Sequence, residues 1–166
     1  MMQVIPYCTV SGNTVQDYYY GQDESHPACV SLKLALSERI SELCSQGILD
    51  FFTNCEYGLS MWAAESIVAM RGFRDTPCRV HIIMPFEEQP LKYPDSVRER
   101  FYDLHAAADS VTMMNTQFTE DCYQETDEFM IKRSIMLLTD GGNEQAWRFA
   151  ESKSKHIELV KALLPL

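Results

Sequence analysis

Ile48-Leu49-Asp50-Phe51-Phe52-Thr53 leads through Asn54-Cys55-Glu56-Tyr57-Gly58 into Leu59-Ser60-Met61-Trp62-Ala63-Ala64-Glu65-Ser66-Ile67-Val68-Ala69-Met70, and a short gap later comes Arg79-Val80-His81-Ile82-Ile83-Met84. The outer runs are short, apolar and continuous, as strands covered on both faces are. In the run between them Leu59, Trp62, Ala63, Ser66, Ile67 and Met70 recur at the i, i+3, i+4, i+7 spacing of one helical face. Strand, amphipathic helix and strand in that order make a βαβ unit, and such units predict a parallel sheet.

The alternation continues in both directions. Gln3–Val10, Ser110–Met114, Ser134–Thr139 and His156–Val160 read as four further strands. Before the opening stretch, Ala28, Leu32, Leu36, Ile40 and Leu43 form a helical stripe that stops at Gly47, a good C-terminal cap. After Pro94, Asp95 or Ser96 can cap a third helix, with Ser96 and Glu99 at capping-box spacing and Val97, Phe101, Leu104 and Ala108 inward. A fourth runs from about Thr119 to Arg133 with Cys122, Thr126, Phe129 and Met130 inward. The last, Asn143 to Lys153, is anchored by Trp147 and Ala150. At 166 residues the pattern predicts one α/β domain over 1–166, a mostly parallel sheet with helices on both faces.

Fourteen basic against twenty-four acidic residues give a net charge of −10, with no basic run. Phosphate attraction dominates nucleic-acid affinity, so this balance predicts no nucleic-acid partner. No apolar run reaches the eighteen or so residues of a spanning helix, and the N-terminus lacks a basic signal-peptide region, which predicts a cytoplasmic protein without membrane contact. The cysteines at 8, 29, 44, 55, 78 and 122 form no CxxC pair and the four histidines are scattered, so neither metal, cofactor nor disulfide is expected.

Parallel sheets bind ligands beyond the carboxyl ends of their strands, where helix N-termini offer free N–H groups. That rule selects the loops Ser11 to Pro27, Asn54 to Tyr57, Pro85 to Pro94, Asn115 to Phe118 and Asp140 to Asn143. On them Ser11, Gly12, Tyr57, Gly58, Glu87, Gln89, Gly141 and Gly142 are candidate ligand-binding residues, joined by Glu65 on the helix that follows Gly58, and all are expected to border one cleft. The N–H groups of Gly141 and Gly142 suit an oxyanion, although a turn needing positive φ also selects glycine. Glu65 and Glu144 are the candidate catalytic carboxylates. Cys55 sits between a strand and a helix, but adjacent Glu56 favours its thiol form. Trp62 belongs to the core stripe, and Tyr18-Tyr19-Tyr20 reads as a lid or an interface patch.

The chain from Tyr57-Gly58-Leu59-Ser60-Met61-Trp62-Ala63-Ala64-Glu65 to Pro85-Phe86-Glu87-Glu88-Gln89 resembles the YpsA-like branch of the SLOG superfamily, which reads GGAxGVDxWAAE after its second strand and PxxxQ after its third. Tyr20-Gly21-Gln22-Asp23-Glu24, Arg100-Phe101-Tyr102 and Asp140-Gly141-Gly142 extend the likeness over most of the chain. The resemblance implies a three-layer Rossmann-like domain, related to the Lonely guy enzymes and to DprA, that binds a nucleotide-derived ligand. It departs from the pattern where relatives carry GHRP, here Ser11-Gly12-Asn13-Thr14, and where Asn54-Cys55-Glu56-Tyr57-Gly58 keeps one glycine of three. Both departures disfavour phosphate. The expected function is therefore binding of a nucleotide or nucleotide-like molecule, in a chain that can form homo-oligomers. The alternatives are a Lonely guy-type phosphoribohydrolase using Glu65 or Glu144, and an interaction module with a vestigial pocket.

Overall fold

Twelve elements alternate along the chain in a computed structural model that describes residues 4–73 and 76–162. They are β1 (Tyr7–Val10), α1 (Pro27–Ser45), β2 (Asp50–Thr53), α2 (Leu59–Phe73), β3 (Arg79–Met84), a 3₁₀ turn (Gln89–Lys92), α3 (Asp95–Ala107), β4 (Ser110–Met113), α4 (Cys122–Lys132), β5 (Ser134–Thr139), α5 (Glu144–Ser152) and β6 (His156–Leu159). Every pairing among these strands is parallel, in the order β4-β3-β2-β1-β5-β6. The fold is thus the α/β, Rossmann-like architecture that the alternating pattern and the resemblance led us to expect.

Strand boundaries move inward for local reasons. Pro6 offers no N–H to a ladder and pairing starts at Tyr7, while Gln3, the expected start of β1, lies outside the described residues. Ile48 is taken by the end of α1: with Gly47 at φ +94°, the Gly47 N–H donates to the Cys44 carbonyl and the Ile48 N–H to that of Leu43. This is a Schellman closure, and it delays β2 to Asp50. The capping box expected at Ser96 and Glu99 does not form. Pro94 occupies the N-cap of α3 without a side-chain bond.

From β1 the chain steps one way through β2, β3 and β4, and from β5 it steps the other way to β6. With right-handed crossovers this reversal sends α1, α2 and α3 to one face and α4 and α5 to the other. Leu36, Phe51, Ile67, Ile82 and Phe101 fill the first face; Ile131, Leu137, Ala146 and Ala150 fill part of the second. Two expected anchors are only half-buried: Phe129 on α4, and Trp147, which gives way to Ala146 on α5. The edge strand β4 is exposed at all four residues, so continuous apolarity there marks an open edge rather than a covered strand. Among the described residues, no helix is long and apolar enough to cross a membrane.

Candidate functional site

The chain reverses direction between β1 and β5, and a cleft of about 350 Å³ opens there beyond the strand carboxyl ends. Ser11, Gly12, Asn13 and Thr14 after β1 form its floor, Asn54, Glu56 and Ser60 after β2 one wall, and Tyr123 and Asp127 of α4 with Asn143 and Gln145 of α5 the other.

Asn143 organises the second wall. Its backbone is left-handed (φ 58°, ψ 66°) and its side-chain oxygen accepts the Ala146 N–H, capping α5. That leaves Nδ2 free to donate to Ser11 Oγ and to Asp127 Oδ2, both at 2.8 Å. Asp127 is 5% exposed, and its Oδ1 has no hydrogen-bond partner among the described residues. Burial pushes the Asp127 carboxyl up to about 7, against the Asn143 hydrogen bond that favours its ionised form and with the Glu56 and Glu128 charges adding to the rise. Burial thus favours its protonated form far more than for an exposed aspartate. Buried carboxyls with raised pKa in clefts are candidate functional groups.

On the opposite wall the Glu56 carboxylate meets Lys92 Nζ at 2.6 Å and the Tyr93 hydroxyl at 2.9 Å. Lys92 Nζ also donates to the Tyr123 hydroxyl of the second wall, and among the described residues no lysine or arginine lines the cleft itself. The glycine turn offers no anion cradle either. The Gly141 N–H donates to Thr139 Oγ1 and the Gly142 N–H to Asp140 Oδ1. Asp140 also accepts the Asn13 N–H at 3.0 Å and the Tyr18 hydroxyl. A Cβ on Gly142 would fall 2.5 Å from the Asn13 backbone nitrogen, so close packing of two loops is what demands glycine there.

Of the sequence-derived candidates, Ser11 and Gly12 line the cleft and Gly142 packs behind its floor. Gly141 turns toward Leu159. Gly58 abuts Asn13 and Thr14 from below, and the Tyr57 hydroxyl points away to Glu24. Glu65 is held by Arg100, which also grips Glu24 through two bonds of 2.6 and 2.9 Å. Burial raises Glu24, but Arg100 and Lys33 outweigh it and hold the carboxyl at about 2. This network ties α1, α2 and α3 together on the far side of the sheet. Gln89 is buried and its amide clamps the Asn54 carbonyl and Tyr93 from behind the wall, Glu87 is exposed, and Glu144 pairs with Arg148 in solvent. Of the nine residues expected around one cleft, Ser11 and Gly12 thus line it, and the other seven lie behind its floor and walls or outside it.

Cys55 is fully buried and its burial pushes the thiol far up, with the Glu65 and Glu56 charges adding, so it is an inert core thiol. All six cysteines are free and buried. Among the described residues no group of three or more His, Cys, Asp or Glu is placed to hold a metal. The site residues that sequence reasoning missed are Asn13, Asn54, Asp127 and Asn143. Asn143 had a visible signal, an Asn between a Gly-Gly turn and a helix; Asp127, on a helix rich in acids, had none.

Comparison with known proteins bears on both fold and partners. The chain is 28% identical over 127 residues to a UPF0398 protein of Lysinibacillus sphaericus (strain C3-41), covering 74% of this chain and 70% of the relative. In fold it is similar to DNA processing protein A of Helicobacter pylori, with TM-score 0.57 and 13% identity over 93% of this chain, which spans 64% of that protein. TM1055, a structural genomics target, follows with TM-score 0.51 and 14% identity over 92% of this chain and 72% of its own. The Helicobacter structure concerns a single-stranded DNA binding mode, and this corrects the expectation that excluded nucleic acid. That exclusion used net charge, a sum over the whole surface, whereas a nucleic acid meets one face. The likeness of TM1055 and the Helicobacter protein is one of fold; the motifs from Tyr57 to Gln89 are matched at the level of sequence, since the model of YpsA, the YspA SLOG family, aligns with residues 16–162, and the chain belongs to that family.

Proposed function

We propose that the cleft binds a nucleotide-derived small molecule by its base and sugar rather than by a phosphate. The observation that carries this reading is Asp127: a buried carboxyl lining the cleft, with one oxygen left unpartnered among the described residues. Carboxyl groups accept from exocyclic amines of bases, and the amides of Asn13, Asn54 and Gln145 with the hydroxyls of Ser11 and Ser60 suit ring nitrogens and ribose. A phosphate finds the opposite, since Asp17, Glu56 and Asp127 line the cleft, among the described residues no cation does, and the glycine N–H groups are used within their own turn. The family membership and the DNA-binding fold neighbour support a nucleotide unit as the chemical class.

Thermal-shift and calorimetric titration with the four common nucleosides and their 5′-monophosphates tests it. One nucleoside is expected to bind more tightly than its own monophosphate; at 100 times Kd a ligand adds about 2.7 kcal/mol of stability. Tighter binding of the monophosphate, or no response to any of the eight, would overturn the reading.

Cleavage of an N-glycosidic bond in a nucleoside monophosphate is the second reading, favoured by one feature, since a carboxyl poised near neutrality is suited to general-acid work. It needs a phosphate anchor that this cleft lacks. Incubation with AMP is therefore expected to release no adenine by chromatography, and base release lost on Asp127→Asn substitution would establish the enzyme instead.

A further inference from the structure

The cations of this acidic chain are not evenly used. On the α1–α3 side they meet carboxylates, as Lys33 does with Glu24, Arg71 with Asp109 and Arg79 with Asp50. On the α4–α5 side Lys132, Arg133, Lys153 and Lys155 have no carboxylate within salt-bridge distance among the described residues, and they stand together. Lys132 ends α4 and Arg133 follows it; Lys153 caps α5 and Lys155 leads into β6. All four therefore lie at the amino-terminal edge of the parallel sheet, the edge opposite the cleft.

Phe149 links the lysines, while Arg133 stacks on Phe129 in a separate packing cluster. Lys132 Nζ and Lys153 Nζ flank Phe149 at 5.8 and 5.6 Å from its centroid, and Lys155 Nζ reaches the Lys132 carbonyl at 3.4 Å. The Arg133 guanidinium carbon lies over the Phe129 ring, 3.6 Å from its centroid. Phe149 is half-buried, while Lys132, Arg133 and Lys153 are exposed. A helix C-terminus attracts a cation through its dipole, which accounts for one cation at each helix end. It does not account for Lys132 and Lys153 sharing the Phe149 ring with Lys155 drawn to the same helix end. The acids nearest in sequence are engaged elsewhere: Glu128 with Gln124, Glu151 with the Trp147 indole and Glu158 with Arg39.

We propose that this patch is a docking surface for single-stranded nucleic acid. Its ammonium groups and guanidinium would take backbone phosphates, and the Phe149 ring and the outer face of the stacked Arg133 would take unstacked bases. Cations interleaved with flat surfaces are the recognition chemistry of single strands, because every base offers a π-face and every linkage a charge. A duplex shows the patch its phosphates only and offers no unstacked base to the Phe149 ring or the Arg133 guanidinium. An acidic peptide would likewise use the charges and leave the rings idle. The inference does not rest on the reading of the cleft, which lies at the other edge of the sheet.

The test is fluorescence anisotropy of a short labelled oligothymidylate titrated with the full chain at several salt concentrations. Binding is expected to weaken with salt with a log–log slope of about −3, as for four phosphate contacts on a single strand. The pair of substitutions Lys132→Glu and Lys153→Glu is expected to lower affinity by at least about tenfold and to flatten the slope. Phe149→Leu is expected to lower affinity with the slope unchanged, which a purely electrostatic contact would not show. Circular dichroism checks that each variant is folded. Absence of binding at low salt, wild-type affinity in the charge-reversed variant, or equally tight binding of duplex DNA overturns the proposal. Competition by polyglutamate as effective as by unlabelled oligonucleotide also overturns it, and reassigns the patch to an acidic protein.

Discussion

Asp127→Asn is expected to stabilise the protein at pH 8 by about 2 kcal/mol or more, and to do almost nothing at pH 4. In the folded state burial holds this carboxyl at about 7, whereas in the unfolded chain it ionises near its ordinary value of 3.8. Well below pH 3.8 the acid is neutral in both states and contributes no difference, and at pH 4 the difference is still small. As pH rises toward 7 the unfolded chain gives up the proton first, so folding requires a buried carboxylate to be protonated or left ionised at a cost that grows until the folded group also titrates. The penalty is complete above about pH 7. An amide keeps the acceptor that Asn143 Nδ2 uses at 2.8 Å and removes the charge. Urea unfolding of wild type and variant from pH 4 to pH 8 measures the gap, and taking the difference cancels acids such as Glu24, whose lowered pKa has the opposite pH dependence. A gap that does not widen with pH would show that Asp127 is not a destabilising buried acid. The same variant is expected to lose nucleoside binding, a gain in stability bought with function.

The second large effect is structural. Gly58→Ala is expected to cost about 3 kcal/mol or more, because two separate penalties meet at one atom. The backbone stands at φ +146°, which residues with a side chain rarely adopt, and a Cβ would fall 2.5 Å from the Asn13 carbonyl oxygen and 2.6 Å from Thr14 Cα. Both neighbours are backbone and cannot swing aside. They are also tied to this turn, since the Leu59 N–H donates to the Asn13 carbonyl and the Val15 N–H to that of Tyr57. Strain here therefore reaches the cleft floor. Gly72→Ala is the contrasting control: within α2, with no atom near the added methyl, it is expected to stabilise by about 0.5–1 kcal/mol. Thermal unfolding of the two variants should move in opposite directions, and a Gly58→Ala midpoint within a degree or two of wild type would refute the packing argument.

The sequence by itself determined what depends on local order along the chain. Apolar runs such as Arg79–Met84 pair over their whole length because a strand buried on both faces needs no partner to reveal it, and the stripe from Leu59 to Met70 is helical because its period is 3.6. From these the parallel α/β fold follows. Direction across space was decided only by the tertiary structure. Glu65 has the same spacing from Trp62 whichever way it faces, and it is the packing of α3 that supplies Arg100 and holds it outside the cleft at β1 and β5. Asp127 shares a helix with Glu125 and Glu128 and reads as one more solvated acid, until α4 lies across the ends of β1 and β5 and strips its water. Gly142 announces a need for glycine, but whether for an anion or for the neighbouring Asn13 depends on a loop more than a hundred residues earlier in the chain. Net charge is a sum that discards position. Lys132, Arg133, Lys153 and Lys155 become one surface only because two helix ends meet, and that convergence is a property of packing that no window along the sequence contains.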